Sequence, residues 1–198
     1  SIADTLVRIL KSHGGAIQCG TRIENLAALP PARAYLFDVS PRNLAAICGA
    51  ALPSGYRKRL LRYRHGPGVF KVDYALNSPI PWTHPACRAA GTVHVGGSFA
   101  DVAAAEKSAW YSMFCDKPFV LVSQPTLADI TRAPRDKQVA WAYCHVPHGS
   151  TSNMAEAING QIERFAPGFR DCILATHTMN CAEMEAYNPN YFGGDVIG

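Results

Sequence analysis

The chain has 198 residues, of which 48% are hydrophobic and 17% charged, the balance of a globular domain with one substantial core or one core plus a partial second. Lys and Arg number 19 against 15 Asp and Glu, and the resulting charge of +4 is too mild for a nucleic-acid partner. No run reaches the roughly 18 apolar residues that a membrane-spanning helix needs.

In chain order, Ile2, Leu6, Ile9 and Leu10 fall on one helical face, and Gly14-Gly15 stops that helix before a short strand predicted at residues 16–19. A second strand is predicted at 34–39, running into Ser40-Pro41, where serine can cap a new helix and proline fits its first turn. Arg57, Lys58, Arg59, Arg62 and Arg64 then form a basic cluster, the first four as its candidate membrane contacts. It reads as a solvated helix face, or as a contact for anionic lipid at a membrane periphery or for a pyridine-nucleotide phosphate.

From Gly66 the pattern turns to strands, predicted at 69–76, 92–95, 119–124 and 139–146 and bounded by Gly, Pro, Asn and Ser. Between the second and third, Ser98 with Asp101 marks a helix start over 98–114, with Phe99, Val102, Ala109, Trp110 and Met113 as its apolar stripe. Asn153 with Glu156 opens another helix over 153–165, stopped by Pro167-Gly168. Strands followed by covering helices predict an α+β domain built on an antiparallel sheet.

The chemistry-bearing residues are sparse. His145 and His148 straddle Pro147, which breaks the helix that would put them on one face, so no metal site is expected. No G-x-S-x-G marks a nucleophilic serine. Seven cysteines lack any C-x-x-C pair, and their odd number suits structural thiols in a reducing cytoplasm better than a disulfide framework.

Several stretches carry a family likeness: Tyr63-Arg64-His65-Gly66-Pro67-Gly68-Val69-Phe70-Lys71-Val72-Asp73, Gly91 to Gly97, Trp141 to Pro147, Asn153 to Asp171, and Ala186 to Asp195. Together they resemble the phytoene dehydrogenase-like branch of the FAD-dependent oxidoreductases. The resemblance implies a flavin enzyme that takes a hydride from an apolar isoprenoid or lipid-like small molecule, with FAD as cofactor. No G-x-G-x-x-G occurs, so FAD would be held mainly by N- and C-terminal flavin-domain segments outside this chain. The implied layout is partial elements of an FAD/NAD(P)-binding Rossmann-like domain at 1–50, a substrate-binding α+β domain at 51–172, and a return segment toward the flavin domain at 173–198. A stand-alone binding or scaffold domain without redox chemistry is the alternative.

Strand alternation assigns the faces. Phe70, Val72, Tyr74 and Leu76 share an apolar face with Val93, Val95, Val120 and Val122, suited to both covering helices. The opposite face is expected to line the substrate cavity, with Tyr143 and His145 as candidate catalytic groups and Lys71, Asp73, His94 and Trp141 as substrate contacts. The likeness also makes Asn190, Gly193, Gly194 and Asp195 candidate cofactor contacts, since glycine permits close approach of a ligand to the main chain.

Overall fold

A computed structural model of the chain describes residues 2–197 and divides them into two units, between Arg62 and Tyr63. The first contains helices α1 (Ile2–Ser12), α2 (Pro41–Cys48) and α3 (Ser54–Leu61). Pro41 occupies the first turn of α2, as the sequence predicts, and Ser40 stands at the N-cap, but its side chain makes no capping hydrogen bond. The strands predicted at 16–19 and 34–39 do not form; both stretches are irregular. A strand needs a neighbour to take its backbone hydrogen bonds, and no strand exists among residues 2–62. Only Ala45 and Cys48 are buried in this unit. The apolar stripe of α1 and the basic side chains Arg57, Lys58, Arg59 and Arg62 are exposed or half-exposed.

The second unit is α+β. Its elements are β1 (Gly68–Leu76), α4 (Pro85–Ala89), β2 (Thr92–Val95), α5 (Phe99–Trp110), β3 (Val120–Ser123), β4 (Gln138–Val146), α6 (Ala155–Phe165), α7 (Phe169–Cys172), β5 (Ile173–Met179) and α8 (Cys181–Tyr187). The strands form one antiparallel sheet in the order β2-β3-β4-β1-β5. Residues 173–197 belong to this unit, with β5 hydrogen-bonded along β1.

The apolar face behaves as its alternation requires. Phe70, Val72, Tyr74 and Leu76 join Val93, Val95, Val120, Val122, Ala142 and Cys144 in one core, closed by Ile158 and Ile162 of α6 and by Phe169 of α7. Burying each of those isoleucines contributes about 1.5–3 kcal/mol, enough to fix α6 on this face. One polar link crosses the core: the Tyr74 hydroxyl donates to Asn159 Oδ1 at 2.7 Å. The start of α6 differs by one residue from the sequence signal. Met154 is the N-cap, and Asn153 Oδ1 accepts the Ala155 N–H at 2.9 Å.

Helix α5 begins with the predicted capping box between Ser98 and Asp101, and the two hydrogen bonds from Ser98 hold the Asp101 carboxyl below its ordinary range. Its stripe and its placement differ from expectation. Of the expected residues, Phe99, Trp110 and Met113 are 89%, 50% and 55% exposed and Val102 is half-buried, while Ala109 is buried as expected, together with Ala105. The helix packs on β4 from the side of His145, the face opposite the apolar core. Alanines carry no bulk beyond Cβ, so this small-residue stripe lets the helix lie close to the sheet, and it leaves the aromatic residues outside.

Candidate functional site

The second face of the sheet gathers five of the six residues expected to meet substrate into one patch. Strand β4 presents Trp141, Tyr143 and His145 at alternate positions, and β1 sets Asp73 opposite Trp141, Lys71 opposite Tyr143 and Val69 opposite His145. The rings form a ladder: Trp141 and Tyr143 stack with centroids 6.3 Å apart, and Tyr143 meets His145 edge-on at 5.7 Å. Lys71 pairs with Asp73 and lies 5.9 Å from the Trp141 ring centre. All five side chains are half-buried. His94 shares this face but stands on the edge strand β2, opposite Leu121, which is itself opposite Tyr143. It is exposed, and its ring packs edge-on against Phe119 at 5.4 Å.

The partner of His145 is Glu106 on α5, whose Oε2 lies 2.7 Å from Nδ1. A carboxylate only accepts, so Nδ1 carries the proton of the neutral ring and Nε2 keeps its lone pair. That Nε2 is buried and has no hydrogen-bond partner. The same Glu106 charge, after burial, raises the Tyr143 pKa and keeps the phenol neutral, a hydrogen-bond donor. Behind the ladder, burial pushes the Cys144 thiol up to about 12, which leaves it protonated and unfit as a nucleophile.

The candidate cofactor contacts lie elsewhere on the unit, in the turn that packs at the start of β1. Gly193 and Gly194 both have positive φ, 61° and 81°, and both are buried. A Cβ on Gly193 would collide with the His148 ring, and one on Gly194 would come within 2.5 Å of Cys181 Sγ. Internal packing therefore accounts for both glycines. The turn does not fit a phosphate, because Gly193 N–H donates to the Glu185 carboxylate at 2.9 Å and the N–H groups of Gly194 and Asp195 donate to Tyr191 and Phe192 carbonyls. Asp195 is buried, its Oδ2 accepting the Gly66 N–H at 2.7 Å, while Asn190 N–H donates to Asn188 Oδ1 at 3.0 Å. The residues present thus do not fit the pyrophosphate cradle of FAD.

Sequence reasoning misses Glu106, which is 39 residues from its partner in the chain and has no motif around it. It also gives no role to His65 and His148, whose rings lie 6.2 Å apart beside Phe192. Among the described residues no cluster of three or more His, Cys, Asp or Glu side chains could hold a metal ion, and no helix is long and apolar enough to cross a membrane.

No family model matches the chain, and no curated protein does. Among solved structures, an oxidoreductase from Methanosarcina mazei is similar at 17% sequence identity with a TM-score of 0.42, over 71% of this chain and 29% of that one. The chain spans less than a third of that protein's length.

Proposed function

We propose that this chain supplies the substrate-binding part of a flavin-dependent oxidoreductase acting on an apolar, isoprenoid or lipid-like molecule. The observation that carries the reading is the ladder of Trp141, Tyr143 and His145 on a sheet face half-open to solvent, with Glu106 behind the imidazole. A mostly apolar wall with a few placed polar groups is what such a substrate requires. FAD, held mainly outside this chain, supplies the hydride acceptor. Trp141 and Tyr143 orient the substrate by ring contact, and the neutral Tyr143 hydroxyl donates to any oxygen it carries. Removal of hydride from one carbon and a proton from its neighbour leaves a double bond. The proton goes to the Glu106–His145 pair through the Glu106 carboxylate, which stays partly open to solvent while His145 Nε2 is buried. Lys71 and Asp73 close the polar margin of the wall.

The test uses the full-length protein carrying this chain, purified with FAD and mixed anaerobically with an apolar polyisoprenoid. Bleaching of the flavin absorbance is expected, and His145→Ala slows it by about a hundredfold. A protein that binds the polyisoprenoid but takes up no flavin would be a binding domain without redox chemistry, and the oxidoreductase reading would fall.

A further inference from the structure

Where β4 leaves the sheet, the second unit holds a cavity of about 350 Å³ whose walls include Tyr63, Arg64, His65, Trp110, His148 and Phe192. Its size lies within the roughly 300–1,000 Å³ of small-molecule sites. Two features of its lining point to a ligand.

The first is a cation without a carboxylate. The Arg64 guanidinium lies 5.5 Å from the Trp110 ring centre, and no described acidic side chain pairs with it. The second is His65. Its side chain is only 5% exposed, neither ring nitrogen makes a hydrogen bond, and Nδ1 is fully buried. Asp195 Oδ2 stands 3.7 Å from Nδ1, beyond hydrogen-bond reach. A buried polar group left this way destabilises the fold unless something else meets it. Ser112, also on the wall, has φ 58° because it closes α5: its left-handed turn lets the Met113 N–H donate to the Ser108 carbonyl at 2.9 Å.

His148 is set differently from His65. Its Nδ1–H donates to the Gly66 carbonyl at 3.0 Å, which fixes its tautomer and its place between the His65 and Phe192 rings. The cavity therefore offers a planar guanidinium donor, an imidazole whose buried Nδ1 makes no hydrogen bond, and aromatic surfaces from Tyr63, Trp110 and Phe192. The buried Asp195 carboxylate behind His65 disfavours a doubly charged guest.

We propose that this cavity binds a small, flat monoanion: a carboxylate attached to a conjugated ring system, with the carboxylate on Arg64 and the ring against Trp110 and Phe192. Guanidinium and carboxylate are matched in plane and charge, and the rings of Trp110 and Phe192 offer flat apolar surfaces beside them. The assignment goes beyond the flavin reading and does not rest on it.

The probe is 2-naphthoate, titrated calorimetrically into the 198-residue chain while the indole N–H resonance of Trp110 is followed. Saturable binding with a shift of that resonance is expected. The exposed side chain of Arg64 allows Arg64→Gln to fold normally, and this variant should bind at least about tenfold more weakly, as should the uncharged 2-methoxynaphthalene on the parent. Arg64→Lys, which keeps the charge but not the planar fork, should fall between the two. Absence of saturable binding, equal affinity of Arg64→Gln and parent, or an unmoved Trp110 signal would each overturn the assignment, and each would leave the oxidoreductase reading to its own test.

Discussion

The buried amide of Gln124 organises the edge of the core. Its Oε1 accepts the Trp82 indole N–H at 3.0 Å, while Nε2 donates to the carbonyls of Cys87 and Ala90 at 3.0 and 2.7 Å. Trp82 is the largest fully buried side chain, and its N–H has no water to turn to. Gln124→Leu would keep the volume and strand three polar groups at once. A loss of about 3 kcal/mol is expected, read as a lower urea midpoint at unchanged slope. A loss below about 1 kcal/mol would show that the loop rearranges to satisfy those groups. None of this was legible in the sequence, where Gln124 closes a predicted strand and says nothing about residues 34 and 37 positions away. The same holds for Glu106 and His145: alternation places His145 on the open face, but only the packing of α5 brings the carboxylate to it.

Alternation was the readable signal for the elements, and it worked where one face is buried and the other is not. β1 shows buried Val72, Tyr74 and Leu76 between half-buried Lys71 and Asp73 and exposed Ala75, so both its position and its facing follow from period two. β5 had no such contrast. It lies at the sheet edge with residues 174–177 exposed, so its sequence carries no burial pattern to read. For α5 the misleading cue was size: Phe99, Trp110 and Met113 suggested much of the buried stripe, but of its members only Ala109 is buried, with Ala105 beside it. The junction of α6 and α7 yields a prediction of its own. Glu163 accepts the N–H of Gly168 at 2.6 Å and of Arg170 at 3.0 Å, and these bonds hold its carboxyl below the ordinary range. A depressed folded-state pKa contributes stability that is present above the unfolded value, near 4.3, and is lost as pH falls through the folded one. Glu163→Ala should therefore cost about 1 kcal/mol at neutral pH, with the gap to the parent narrowing in melts taken at progressively lower pH. A gap that stays constant down to acid pH would show that the cost comes from lost packing and not from the carboxylate.

Over the whole molecule, burial is concentrated in one unit. Every buried hydrophobic residue except Ala45 and Cys48 lies after Arg62, and the continuous core of the sheet, α6 and α7 is drawn entirely from there. Ordering a residue costs about 1–2 kcal/mol of backbone entropy, which only extensive apolar burial offsets. The second unit meets that requirement through a five-stranded sheet with one closed face, whereas two small buried residues cannot do so for the first. A chain of residues 63–198 should therefore fold by itself, with one cooperative thermal transition within a few degrees of the parent and slow amide exchange along β1 and β4, whereas residues 1–62 alone should show no cooperative transition. Circular dichroism melts and exchange on the two pieces distinguish the cases. If residues 63–198 melt without cooperativity, the sheet and α6 do not suffice as a core, and stability must draw on the preceding residues. If they fold, the ladder on β4 and the Arg64 cavity are both present in the piece, because each is built only from side chains after Arg62.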